Sequence, residues 1–234
     1  MITYIAAPFG NYIKTPFTVN VRGSYTLHKR KGLLLQLLKT LRYKNGSWYN
    51  ALGLRNPGID HGLKKYRKYK YELLSIAAIQ DNDWIQLNDI IPEYVDLELN
   101  LSCPNITHFS NYTKDIEKFL NNYRDVVVKI SPQSTQDDIH HLANLGFTSF
   151  HCSNTLPTQN GGRSGAALIP YTKKLIAMIT QCNIPNVKII AGGGIFDIHT
   201  VKYYLDHGAT DISLGTVCFH PIKLIKLLKS INEL

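Results

Sequence analysis

No apolar run in this 234-residue chain approaches the roughly 20 residues that a bilayer crossing takes, so a membrane-spanning helix is not expected. Cysteine is scarce. Cys103, Cys152, Cys182 and Cys218 include no CxxC pair, and no His/Cys cluster has zinc spacing. Neither a disulfide framework nor a structural metal is therefore expected. The opening Met1-Ile-Thr-Tyr-Ile-Ala-Ala-Pro-Phe-Gly10 lacks the basic region that begins a signal peptide and reads as a strand entering a turn. Free thiols and no leader predict a cytoplasmic protein with no membrane contact. Low-complexity stretches, long linkers and short repeats are also missing, which predicts one domain over residues 1–234.

Apolar residues make up 44% of the chain, enough for a real core and against disorder. The formal net charge is +9, with dense basic stretches at His28-Lys-Arg-Lys31 and Lys64–Lys70. Such runs most often form solvated surface; an anionic partner is the second reading, and nucleic acid is not the expected one.

A short β-rich run followed by a helix-like stretch recurs along the chain. The strand-like runs are Ile2–Ala7, Phe17–Val21, Tyr71–Ala77, Tyr94–Leu99, Val126–Ile130, Thr148–Cys152, Lys188–Ala191 and Asp211–Leu214. Several are continuously apolar, as parallel strands covered on both faces are. Helical spacing follows at Thr113–Tyr123, Ser134–Leu145, Tyr171–Cys182, His199–His207 and Ile222–Ile231. Eight strands with intervening helices predict a (β/α)8 TIM barrel, with an open doubly wound sheet as the alternative.

In such barrels chemistry collects at the C-terminal strand ends. Asn100-Leu-Ser-Cys-Pro-Asn105 follows a predicted strand directly, and its proline forces a turn that would present Cys103. A thiol titrates near pH 8.5, so a modest shift lets it exchange protons near neutrality. Ile189-Ile-Ala-Gly-Gly-Gly-Ile195 and Ile212-Ser-Leu-Gly-Thr216 end the last two predicted strands, where this fold usually grips phosphate. Lys129 sits inside an apolar strand and needs an anionic partner there, either a structural carboxylate or a ligand. Ser153-Asn-Thr155 is another polar strand end, and Gly161–Ala167 reads as a flexible loop able to lie against a ligand.

Together these segments resemble the dihydroorotate dehydrogenases, FMN-dependent barrels of pyrimidine and UMP biosynthesis. The resemblance runs from Ala6-Ala7 through Gly23–Arg30, Asn50–Gly58, Asn100–Asn105, Val128-Lys-Ile-Ser-Pro132, Ser153–Thr155 and Gly161–Ala166 to Gly192–Ile195 and Gly215-Thr216. The Asn-Leu-Ser-Cys-Pro-Asn segment is its most specific part. The resemblance implies an oxidoreductase acting on a CH–CH bond. FMN would contact Ala6, Ala7, Ser24, Asn100, Lys129 and Ser153, with its phosphate on Gly165, Gly193, Gly194, Gly215 and Thr216. A small pyrimidine substrate would meet Asn50, Leu52, Gly53, Leu54, Asn100, Asn105, Asn154 and Thr155. Cys103 matches the base of the cysteine-type enzymes, and Lys129 would assist catalysis. The implied reaction takes a proton from C5 of dihydroorotate to Cys103 and a hydride from C6 to flavin N5. Cysteine-type relatives are commonly homodimers. Two other functions fit the same residues: an FMN reductase of another pyrimidine, such as uridine in tRNA, and a flavin-binding barrel without full turnover. The chain departs from the family in two places. A lysine near the flavin is replaced by Arg22-Gly23 or, in the alternative alignment position, by Asn11, and the segment between Thr155 and Gly161 is very short.

Overall fold

The computed structural model describes residues 1–67, 71–80, 82–101, 112–152 and 154–234. Twelve strands form among them: β1 Thr3–Ile5, β2 Thr18–Tyr25, β3 Arg42–Lys44, β4 Ser47–Asn50, β5 Glu72–Ile76, β6 Leu97–Asn100, β7 Val126–Lys129, β8 Ser149–Cys152, β9 Leu156–Thr158, β10 Gly161–Gly165, β11 Lys188–Gly192 and β12 Asp211–Leu214. Eight of them, β1, β2, β5, β6, β7, β8, β11 and β12, close into a barrel in which each neighbouring pair is parallel. All eight coincide with the strand-like runs of the sequence, and the open-sheet alternative is excluded by closure.

Strand alternation sorts the barrel into two environments. Outward residues such as Ile5, Leu74, Leu97, Val128, Phe150, Ile189 and Ile212 join one large core with the surrounding helices. Inward residues Tyr4, Val21, Leu73, Val127 and Ile190 form a separate plug in the lumen. The apolar faces of Gln136–Asn144 and Ile169–Gln181 supply Ile139, Leu142, Leu175, Ile176 and Ile179 to the outer core. The first of these helices is started by a capping box between Thr135 and Asp138, as its Ser-Thr-Gln-Asp-Asp opening suggests.

Three features differ from the sequence reading. The segment Gly161–Ala167 is not a flexible loop. Its first five residues are β10, which with β3, β4 and β9 makes a four-stranded antiparallel sheet beside the barrel. The expected helix Thr113–Tyr123 shrinks to a 3-10 turn at Ile116–Phe119, because Asp115 adopts a left-handed φ of 68° that an α-helix does not accommodate. Helices α1 Leu33–Thr40, α2 Ile59–Lys65 and α3 Asp83–Ile90 were also not foreseen.

The turn after β1 is seated on β2 without space for a side chain at Gly10: a Cβ there would lie 2.3 Å from the Val21 carbonyl oxygen. The adjacent Asn11 locks the turn in place. Its amide donates to the Gly23 carbonyl at 3.2 Å, and its carbonyl oxygen accepts from the Gly23 N–H at 3.2 Å and the Tyr25 hydroxyl at 3.1 Å. Gly10→Ala is expected to destabilise the protein by about 1–3 kcal/mol through overpacking, read as a lower urea midpoint; an unchanged midpoint would show that this turn yields freely.

Candidate functional site at the barrel mouth

Above the apolar plug, the lumen changes character. Glu98, Lys129 and His151 face inward from three adjacent strands and are all buried. The His151 Nδ1 lies 2.6 Å from Glu98 Oε2, and the Lys129 ammonium lies 3.9 Å from Glu98 Oε1. Burial on its own would raise the Glu98 carboxyl; the neighbouring Lys129 charge and the His151 contact outweigh it and bring the group down to about 2. Burial pushes His151 the other way, below the usual imidazole range. A neutral His151 then contributes an Nδ1–H hydrogen bond to the carboxylate, and Lys129 supplies the compensating charge. Lys129 thus has a structural anionic partner at ion-pair distance, longer than a hydrogen bond. Sequence reading found the lysine but not Glu98 or His151. Their signal was a lone acid in Val95–Leu99 and a lone histidine in Thr148–Cys152, each a polar residue in an apolar strand.

One layer higher, the polar residues join into a chain. The Ser75 and Ser24 hydroxyls are 2.7 Å apart, Asn100 Nδ2 donates to Ser24 Oγ at 2.9 Å, and Asn154 Nδ2 donates to Asn100 Oδ1 at 3.2 Å. Asn100 is the cross-strand partner of Lys129, which in turn is the partner of His151. The second sheet closes over this row. Gly162 pairs with Asn50, and a Cβ at Gly162 would fall 2.3 Å from the Thr155 hydroxyl. The structure therefore brings Ser24, Asn50, Asn100, Lys129, Asn154 and Thr155 to one rim. The shortened segment after Thr155 is β9 and the two-residue turn that joins it to β10, with which it pairs directly.

The glycine-rich strand ends gather on the neighbouring part of the rim. Gly193 and Gly194 follow β11 with φ of 87° and 75°, values that favour glycine. Gly194 packs on β10: its Cβ would come within 3.2 Å of the Gly165 carbonyl and 2.5 Å of Ile169. Two helical residues hold the turn from behind, Thr172 donating to the Gly192 carbonyl and Tyr204 to the Gly193 carbonyl, each at 2.7 Å. Neither was singled out from sequence. Gly215, after β12, sits beside Ala6, whose N–H donates to the Leu214 carbonyl at 2.9 Å. A Cβ on Gly215 would meet only Ala6, at 3.8 Å, so packing within the protein does not require glycine there. Space kept clear above a strand-end backbone is what close approach of a phosphate needs. Ala7 packs on the lumen plug, and the Ser213 hydroxyl next to Gly192 is buried with no hydrogen-bond partner among the described residues. These observations leave room for a phosphate-bearing group at the Gly193-Gly194 and Gly215 turns.

Other expected residues lie elsewhere. Arg22 does not stand in for the missing lysine. It faces away from the lumen, with Nη1 donating to the Lys65 carbonyl at 2.9 Å and pairing with Glu72 at 3.3 Å. The backbone carbonyls of Gly53 and Leu54 are bound by Arg30 and Asn56, in the loop with Leu52 that follows β4. Cys103, Asn105 and Ser153 lie outside the described residues. Cys152 and Cys218 are buried thiols on the helix-facing side, and burial raises both.

A closed parallel barrel with polar groups and glycine turns gathered at its C-terminal rim is the architecture of a barrel enzyme. The family model described as dihydroorotate dehydrogenase matches residues 9–233, and the chain belongs to that family. It is 29% identical over 220 residues to the dihydroorotate dehydrogenase B (NAD(+)) catalytic subunit of Malacoplasma penetrans, covering 79% of this chain and 71% of that protein. To the corresponding subunit of Bacteroides fragilis it is 27% identical over 249 residues, covering 91% and 80%. Among solved structures, the dihydroorotate dehydrogenase of Eimeria tenella in complex with ferulenol superposes with a TM-score of 0.73 at 17% identity, covering 97% of this chain and 79% of that one. At that identity the likeness concerns the fold.

Glu98→Gln removes the counter-ion of a buried lysine and is expected to cost about 3–5 kcal/mol near neutral pH. Because the Glu98 carboxyl is held low, its contribution is full above the ordinary carboxylate range and fades as pH falls from 4.5 toward 2. The gap in thermal midpoint between wild type and variant should narrow over that window. A gap of constant size would show that the carboxylate charge does not stabilise the fold.

Proposed function

We propose that this protein binds FMN at the barrel mouth and oxidises dihydroorotate to orotate. The observation that carries this reading is the continuous row Ser24–Asn100–Asn154, in register with Lys129 and flanked by the glycine turns, in a chain of the dihydroorotate dehydrogenase family.

Gly165, Gly193, Gly194, Gly215 and Thr216 would hold the phosphate through backbone N–H groups. Ala6, Ala7, Ser24, Asn100, Lys129 and Ser153 surround the ring system. FMN, when bound, supplies a two-electron acceptor for the hydride leaving C6 of the substrate. Asn50, Asn100, Asn105, Asn154 and Thr155, with the loop Leu52–Leu54, orient the pyrimidine. Amide side chains suit that task because each offers both a donor and an acceptor to the ring edges. Cys103, three residues beyond β6 in the sequence, takes the C5 proton. The buried Lys129 ammonium would lend positive charge to a flavin bound at the rim.

Anaerobic mixing with dihydroorotate should bleach the flavin absorbance of the purified protein. Cys103→Ser should retain FMN and lose the reduction rate by about a hundredfold or more near neutral pH. A flavin that stays oxidised with excess dihydroorotate overturns the assigned substrate, and wild-type kinetics in the serine variant remove Cys103 from the proton transfer.

A further inference from the structure

Helix α1 is mounted with its polar face inward. Gln36 and Thr40, four residues apart and so on one face, are tied to the protein backbone. Gln36 Nε2 donates to the Ala51 carbonyl at 2.8 Å, and the Ala51 N–H donates to Thr40 Oγ1 at 3.1 Å. The leucines point the other way. Leu34 is 70% exposed, Leu38 68% and Leu35 58%, and the helix buries no residue at all. Tyr43, just beyond its end, is 61% exposed. A surface helix of a globular protein normally presents the opposite face to water. A contiguous apolar patch of this kind marks a contact surface.

The charge around it has one sign. Lys29, Arg30 and Lys31 precede the helix, Lys39 lies in its last turn, and Arg42 and Lys44 follow. Arg42 folds back onto the Leu38 and Leu41 carbonyls at 3.1 and 2.7 Å, which fixes its charge at the helix end. Residues 1–59 hold nine Lys and Arg and no Asp or Glu; the remaining 17 basic residues are balanced by 17 acidic ones. The whole net charge of +9 therefore belongs to the quarter of the chain that carries this helix.

We propose that α1 and its basic flanks dock this protein on an anionic lipid bilayer. A bilayer surface meets both halves of the observation. Headgroups match the lysines and arginines, and the acyl boundary takes the leucines. A second copy of the chain would bring an equally basic segment against this one, and a nucleic acid would leave the leucines in water. No spanning run is needed for this: the helix would lie on the surface and not cross, and no helix among the described residues is long and apolar enough to span a membrane. The proposal is independent of the flavin chemistry.

The test is flotation of the full-length protein with phosphatidylcholine vesicles, with and without phosphatidylglycerol, at low and high salt. Binding is expected on the anionic vesicles alone and should weaken with salt. Leu34→Glu with Leu38→Glu should reduce it by about tenfold or more, with far-UV circular dichroism and FMN content unchanged. Lys29→Glu with Lys31→Glu attacks the charge instead and should give the same loss, which covers the case in which the leucine variant misfolds. Failure of the wild type to bind, equal binding to neutral vesicles, or undiminished binding by both folded variants would overturn the proposal. So would a wild-type dimer that the leucine variant converts to monomer, which would assign this face to a second copy.

Discussion

The in-register parallel pairing of β6, β7 and β8 decides where the charges of this barrel lie. Asn100, Lys129 and His151 are partners across three adjacent strands, and Glu98 stands two residues below Asn100 on the same face. Side chains alternate along a strand, so a slip of one residue would turn the ammonium and the imidazole into the helix-facing core. There they would face the apolar core between barrel and helices, with Ile139 and Leu142 among its members and nothing to offset their desolvation. The buried carboxylate makes the observed register the favourable one: it accepts from His151 and balances Lys129 in one place. The ion pair is better seen as fixing register and charge position than as adding stability, since buried pairs rarely outperform an apolar replacement.

Everything at the mouth is arranged around that layer. Asn100 stands level with Lys129 in register, and β10 runs from Gly162 beside Asn50 and Thr155 to Gly165 beside Gly194. One strand of the second sheet therefore connects the rim's amide part to its glycine part. Its glycines are explained by this close packing. Gly161 and Gly162 would drive a Cβ into the Asn50 carbonyl and the Thr155 hydroxyl, whereas Gly215 has room for one. The first two serve the fold, and the third is free to serve a ligand.

The barrel was legible because each of its strands carries a run of apolar residues buried on both sides, and such runs survive any choice of loop. The second sheet was not. Its strands are short, exposed at Arg42–Lys44, and rich in glycine at Gly161–Gly165, a composition that reads as loop until a pairing partner is known. One signal was available: Asn45-Gly46, both at positive φ, separates Arg42–Lys44 from Ser47–Asn50, which is the sequence mark of a tight hairpin. Candidate site residues named from the strand ends largely converge, because strand ends of a closed barrel share one rim. What escaped was the support. Glu98 and His151 are single polar residues whose meaning depends on facing each other, and Thr172 and Tyr204 act from helices far along the chain. Arg22 shows the reverse error: it lies within a strand, but alternation turns it outward to Glu72.

In the proposed function the glycine turns and the amide rim hold one flavin nucleotide between them. Titration of the flavin-free protein with FMN, followed by quenching of flavin fluorescence, tests it without reference to turnover. Saturable binding of one FMN per chain is expected, weakened by about tenfold or more in Gly215→Val, whose Cβ has room within the protein's own packing. Absence of saturable binding, or a valine variant that binds FMN as tightly as the wild type, would contradict the account.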